Sequence, residues 1–153
     1  MAIKKIDHIG IAVKDISAAL KFYAEALGLE NIGYEVVEDQ GVRVAFLPVG
    51  ESRFELLEPL NDESPVAKFI AKRGEGIHHI CLDVENVTET LEDMKGRGLQ
   101  LIDQQPRPGA HHKNIAFVHP KASGGVLIEL SQDAPGFHEG MPLVTGEEAL
   151  NKG

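Results

Sequence analysis

Apolar and polar residues alternate over residues 5–13 (KIDHIGIAV), the period of a half-buried β-strand. The period then changes. Ile16, Leu20, Tyr23 and Leu27 recur at helical spacing, with Asp15 or Ser17 as N-cap and Gly28 as the stop. Three short strands are predicted next, at roughly 32–38, 42–49 and 52–58, punctuated by Gly41 and Gly50. A connecting helix is expected over 65–73. Ser64 is its N-cap, Pro65 its first residue, Lys72 and Arg73 its last turn, and Gly74 its end.

The same order then repeats. IDHIGIAVKDISAALKFY (6–23) aligns with IHHICLDVENVTETLEDM (77–94) at an offset of 71. Ile6, His8, Ile9, Ile11, Val13, Ile16, Leu20 and Tyr23 fall on Ile77, His79, Ile80, Leu82, Val84, Val87, Leu91 and Met94. Ala45-Phe46-Leu47 falls on Ala116-Phe117-Val118 at the same offset, and Phe54-Glu55-Leu56 falls on Ile128-Glu129-Leu130 after a short insertion. Asn86 and Glu89 form a capping-box pattern for the second helix, which Gly96 and Gly98 end. Strands are predicted at 99–104, 113–118 and 125–131. Each half is thus βαβββ. The expected fold is α+β, with two tandem βαβββ modules (about 3–58 and 75–132) forming a curled mixed-sheet cup. A helical linker, 59–74, joins them within one domain, 1–132. The Gly/Pro-rich segment 133–153 is expected to be a peripheral tail.

Side chains on a strand alternate faces. Ile9, Ile11 and Val13 should pack on the first helix, which turns His8, Gly10 and Ala12 the other way. In the repeat, Ile80, Leu82 and Val84 face the helix while His79 and Cys81 face away. Glu55 and Glu129 oppose the apolar faces of their strands. A pseudo-twofold placement of two curled halves therefore brings His8, Glu55, His79 and Glu129 into one cup. Two imidazoles and two carboxylates suit a first-row divalent ion. Four ligands on an octahedral ion leave two positions for a chelating substrate. Gly10, beside His8, is expected to leave room for that substrate. His78 has the opposite parity and is expected at a helix edge rather than on the metal.

Composition narrows the function further. Fifteen Lys and Arg against 24 Asp and Glu give a formal charge of −9, which disfavours nucleic acid and anionic membranes as partners. The single cysteine, Cys81, allows neither an internal disulfide nor a thiolate cluster. No apolar run is long enough to span a bilayer, and residues 1–8 carry no apolar signal core. A cytoplasmic protein is expected.

DHIGIAV (7–13), ELLEPLNDESPVAKFIAKRGEGIHHICLDV (55–84) and HPKASGGVLIELSQ (119–132) resemble the methylmalonyl-CoA epimerases, a family of the vicinal oxygen chelate superfamily. The resemblance covers residues 5–132. It implies interconversion of (R)- and (S)-methylmalonyl-CoA with Co²⁺ or another divalent ion (Zn²⁺, Mn²⁺, Ni²⁺), and it implies a homodimer. It carries the metal ligands onto His8, Glu55, His79 and Glu129. Some members place Gln where Glu55 stands, and some place a second Glu where this chain has Val44. Proton removal on one face and return on the other needs two acid/base groups. Glu129 is the first candidate, and Glu55 follows from symmetry. Lys121 could meet the substrate carboxylate or a CoA phosphate, and is as readily a solvated loop lysine. Arg53, Arg107, Lys113 and Lys121 are the cations available to an anionic CoA. The alternatives are a glyoxalase I-type lyase with the same ligand set and a non-catalytic ligand-binding member of the fold.

Overall fold

Two strands of unlike neighbourhood run side by side down the middle of the sheet. β1 (Ile3–Ala12) and β5 (Gly76–Val84) pair antiparallel. Each also pairs parallel with the last strand of its own half, β1 with β4 (Ser52–Pro59) and β5 with β8 (Ile128–Asp133). In this computed structural model, which describes residues 2–134, β2 (Gly33–Val37), β3 (Val42–Val49), β6 (Arg107–Pro108) and β7 (Lys113–Val118) complete one mixed sheet. Its order is β2-β3-β4-β1-β5-β8-β7-β6. The two halves mirror each other across the Ile9–Ile80 pair, whose members are equivalent in the repeat. The sheet curls, and the fold is the α+β cup expected from the duplicated pattern.

The helices cover the outer faces. α1 (Ile16–Leu20) starts at Asp15, whose carboxylate accepts the Ser17 N–H. Ile11, Val13, Ile16, Ala45, Leu47 and Leu56 form the core beneath it, with Ile9, Leu20 and Tyr23 packed alongside. α3 (Val87–Gly96) is capped by Asn86 Oδ1 on the Glu89 N–H, and its Val87 and Leu91 pack on Val84, Leu101, Ala116, Val118 and Leu130. α2 (Pro65–Arg73) lies instead over the cup of the first half. Val66 joins Ala12, Val37, Val42, Val44, Phe46 and Leu57 there. Each well-packed buried leucine contributes about 2–5 kcal/mol relative to alanine.

Four local expectations change. The helix expected to reach Leu27 is α-helical only to Leu20. Lys21–Ala26 is a π-helical segment in which the Leu27 N–H reaches back to the Phe22 carbonyl. Residues 99–104 make no strand beyond a single Leu101–Val118 bridge. The Ile102 and Asp103 N–H groups share the Phe117 carbonyl, and the Asp103 carboxylate takes the Phe117 N–H that a ladder would use. Pro106 and Pro108 have no N–H to extend one. The strand expected at 125–131 begins at Ile128. Before it, α4 (Pro120–Ser123), capped by the His119 ring on the Lys121 N–H, stands where a loop was expected around Lys121. Gly124 and Gly125, at φ 80° and 120°, then reverse the chain. The expected tail lies, from residue 135, outside the described residues. Among the described residues no helix is long and apolar enough to cross a membrane.

Candidate metal centre

Strict alternation places His8 on the cup face of β1, and a break in the alternation gives it a partner. Ile6 pairs with Leu82 and His8 with Cys81, so Asp7 is an extra residue in β1. This β-bulge turns the buried Asp7 carboxylate toward the same side as His8. Asp7 Oδ2 lies 2.7 Å from His8 Nδ1, and Glu55 Oε2, on β4, lies 3.0 Å from the same nitrogen. Two carboxylate oxygens there hold a proton on Nδ1, so Nε2 is the atom for which a metal ion and a second proton compete.

β5 has its own bulge. Gly10 pairs with His79 and Ile11 with Ile77, so His78 is the extra residue. Its parity is thereby lost, and its ring turns toward His79 rather than away from it. The two Nδ1 atoms are 2.9 Å apart, while the His78 ring meets Phe69 of α2 edge-on at 5.0 Å. Burial and the adjoining His79 lower the His78 pKa to about 4. A neutral His78 can accept the His79 Nδ1 proton, and His79 Nε2 then carries a lone pair.

These atoms converge with a carboxylate from β8. His8 Nε2 and His79 Nε2 are 3.0 Å apart, and Glu129 Oε1 is 3.0 Å from the first and 3.1 Å from the second. Glu129 Oε1 is buried and accepts no hydrogen bond among the described residues. Ligands at about 2.1 Å on perpendicular axes around a divalent ion stand about 3.0 Å apart, so the triangle has the size of one face of an octahedral site. His8, His79 and Glu129 fit a divalent cation in donor type as well as spacing.

Glu55 lines the same small cavity, but its carboxylate is turned to other partners. Besides His8 Nδ1, its Oε2 accepts from Arg53 Nε at 2.8 Å, and Arg53 Nη2 also reaches Asp7 Oδ2 at 2.9 Å. Asp7, Glu55 and Glu129 carry three negative charges against the one of Arg53. The remaining two match a divalent ion. Lys113, 3.9 Å from Asp7, is itself paired with Asp133 at 2.6 Å.

The ionisation of the cluster follows from this field. Burial would push Glu129 up, but the two imidazoles hold it well below the usual carboxylate range. Glu55 is lowered against its burial by His8 and Arg53. Burial would lower His8, yet the Glu55 carboxylate raises it well above the ordinary imidazole value. The cavity stabilises positive charge at His8, and a proton and a metal ion compete for it. Burial pushes the Cys81 thiol up to about 12, so the thiol opposite His8 stays neutral.

Other expectations meet different geometry. The space beside Gly10 is filled by a ligand, because a Cβ built there would lie 2.2 Å from the His79 ring. It is not room for substrate. Lys121 is exposed on α4 and does not line the small cavity. Arg53, Arg107 and Lys113 are bound to carboxylates rather than free for an anion. Asp7, Arg53 and Ser131 are contributors that the alternation argument passed over. Ser131 is on the face of Glu129, two residues on, and lines the same cavity, with its Oγ buried and unpaired among the described residues. The repeat held one signal: Asp7 and His78 both directly precede an equivalent histidine.

The sequence profile of the Glyoxalase/Bleomycin resistance protein/Dioxygenase superfamily matches residues 7–117. The mitochondrial methylmalonyl-CoA epimerase of Homo sapiens is 38% identical over 129 residues, covering 84% of this chain and 73% of the relative. The ethylmalonyl-CoA/methylmalonyl-CoA epimerase of Cereibacter sphaeroides is 39% identical over 132 residues, covering 85% and 98%. The structure of a Streptomyces coelicolor methylmalonyl-CoA epimerase variant in complex with 2-nitronate-propionyl-CoA superposes with a TM-score of 0.84. Its identity is 40%, covering 88% of this chain and 97% of the other. By superfamily profile, by relatives matched over most of their length and by fold, the chain belongs to the glyoxalase/bleomycin resistance protein/dioxygenase superfamily and, within it, to the methylmalonyl-CoA epimerase family.

Proposed function

We propose that this protein interconverts (R)- and (S)-methylmalonyl-CoA by removing and returning the proton at Cα. The observation that carries the reading is the 3.0–3.1 Å triangle of His8 Nε2, His79 Nε2 and Glu129 Oε1, in a chain 38–39% identical to named epimerases over most of its length. We assign His8, His79 and Glu129 as metal ligands and Glu55 as the fourth. When bound, Co²⁺ or a related divalent ion (Zn²⁺, Mn²⁺, Ni²⁺) supplies Lewis-acid neutralisation of the charge that develops on a thioester oxygen as the Cα proton leaves, a contribution of several kcal/mol.

The chain's own residues do the rest. Glu129 uses one oxygen in the triangle and keeps its second for the Cα proton. Glu55, held ionised by Arg53 and His8, is the group proposed for the opposite face. Asp7 holds a proton on His8 Nδ1. We assign Lys121 to the substrate's anionic groups, with its exposure leaving it free to turn to them. Residues 1–132 are proposed to act as one functional domain, in a cytoplasmic homodimer. The resemblance supports the homodimer, which light scattering tests.

The deciding experiment is solvent deuterium incorporation at Cα of methylmalonyl-CoA by the metal-loaded protein. The parent incorporates deuterium, and His8→Ala and Glu129→Gln each lose it by at least about a hundredfold. Full incorporation by either variant would refute the assignment. Turnover of methylglyoxal with glutathione, and none of methylmalonyl-CoA, would make it a lyase instead.

A further inference from the structure

The second half contributes a cation and a hydroxyl to the cup that the triangle does not use. Alternation turns Lys113 and Ile115 of β7 and Glu129 and Ser131 of β8 onto the cup face, and all four line the small cavity with His8, Glu55 and His79. Ile115 pairs with Ser131 and Lys113 with Asp133, so the lysine and the serine are diagonal neighbours on adjacent strands. Ser131 is fully buried, and its Oγ has no partner among the described residues.

Lys113 is held loosely for a buried cation. Its side chain is 10% exposed, and its ammonium, with three donors, makes one hydrogen bond among the described residues, to Asp133 at 2.6 Å. The Asp133 side chain is 52% exposed, whereas Asp7, on the inner side, is 3.9 Å away. Arg53 differs, because both of its carboxylates, Asp7 and Glu55, are buried. An ion pair with a solvated partner contributes little, so the ammonium can exchange Asp133 for another anion at small cost. Charge gives it a reason. Asp7, Glu55 and Glu129 are balanced by Arg53 and a divalent ion, and a substrate carboxylate would add one negative charge more. Lys113 is the one lysine or arginine that lines this cavity among the described residues.

We infer that Lys113 and the Ser131 hydroxyl hold the free carboxylate of the acyl group, and so select 2-carboxyacyl thioesters over thioesters without that carboxylate. This rests on the epimerase reading for the identity of the ligand. Binding turns the ammonium from Asp133 to the substrate and gives the buried hydroxyl the acceptor it lacks. A thioester without the carboxylate leaves both groups unpaired, which is how a polar site rejects an apolar analogue. Lys121, outside this cavity, is left to other anionic groups of the substrate.

The test is Lys113→Met, which keeps the apolar stem, set against Asp133→Asn, each in the full chain loaded with Co²⁺. Calorimetric titration with malonyl-CoA, and with acetyl-CoA as the analogue lacking the carboxylate, reads the site without turnover. The parent binds malonyl-CoA at least about tenfold more tightly than acetyl-CoA. Lys113→Met loses at least about tenfold in affinity for malonyl-CoA and keeps its affinity for acetyl-CoA. Asp133→Asn frees the ammonium and binds malonyl-CoA at least about twofold more tightly than the parent. In turnover of methylmalonyl-CoA, Lys113→Met raises KM while kcat stays close to the parent's, and Lys113→Arg recovers most of the loss. A lysine that only ties the ends of β7 and β8 predicts the opposite pattern, in which both variants weaken both ligands in parallel. That pattern overturns the inference, as does a parent with no preference for malonyl-CoA or a Lys113→Met variant that keeps it. A preference that depends on Lys113, in a parent that epimerises nothing, leaves the carboxylate site standing and removes the epimerase reading.

Discussion

Asp7 and His78 hold equivalent bulged positions in β1 and β5, and each presents a polar atom to the Nδ1 of the imidazole that follows it. One is a carboxylate and the other a neutral ring. The two metal-facing imidazoles are therefore unequal. His8 is made the more basic ligand by charge, and His79 is oriented by a weaker acceptor.

Asp7→Asn keeps the shape of the side chain and removes its charge. Divalent-ion affinity is expected to fall about 10- to 100-fold, read by titration with Co²⁺ and its visible absorption. His78→Gln should cost less. Equal losses for the two variants would contradict the inequality.

Gly10→Ala puts a methyl group where the His79 ring now lies, at 2.2–2.8 Å from three ring atoms. The ring must move, because the other side of the contact is strand backbone. Co²⁺ binding should be lost by at least tenfold, with a fall in melting temperature. A variant that binds the ion like the parent would mean that His79 is not held where this contact puts it.

Ser131 Oγ is buried in the small cavity without a partner among the described residues. An unpaired buried hydroxyl costs about 1–3 kcal/mol, a cost that a bound substrate oxygen can relieve. Ser131→Ala should therefore melt at the same or a higher temperature than the parent, while KM for methylmalonyl-CoA rises several-fold. A lower melting temperature with unchanged KM would show that the hydroxyl serves the fold.

His111 gives a pH signature at the rim of the cluster, next to Phe46, which pairs with Glu55. Its backbone is left-handed at φ 60°, its N–H donates to Glu35, and its ring packs on Phe46. Burial, helped by Arg53 and opposed by the Glu55 carboxylate, lowers its pKa from 6.5 to about 4. The native state thus keeps the ring neutral while the unfolded chain takes up a proton. Its contribution to stability is full above pH 6.5 and is lost as the pH falls toward 4. His111→Asn, suited to a left-handed backbone, should flatten the fall in denaturation midpoint between pH 6.5 and 4. An unchanged slope would assign the loss to other groups.

The duplication was legible because period-2 alternation and the capping residues Asp15, Ser64 and Asn86 are local signals that tertiary structure did not override. Alternation also assigned His8, His79, Glu55 and Glu129 to the cup face. It could not place Asp7 and His78, since a bulge is a property of the paired strand and not of one strand's own pattern. Nor could it show that Arg53 would claim the Glu55 carboxylate, an encounter between two residues of like parity on β4. The stretch 99–104 reads as apolar alternation, and the Asp103 side chain competes there for the N–H that a strand needs.

The pairs across the central seam also make the two halves non-interchangeable. His8 faces the thiol of Cys81, whereas its counterpart His79 closes onto bare Gly10 backbone. A chimaera of two first halves would seat an Asp in place of His78 and a glycine in place of Cys81, crowding anions around one imidazole and opening a gap beside the other. One built from two second halves would force a thiol into the ring of His79. The repeat survives as architecture, but its copies have specialised, so a symmetric reconstruction of this fold would keep the cup and lose the centre.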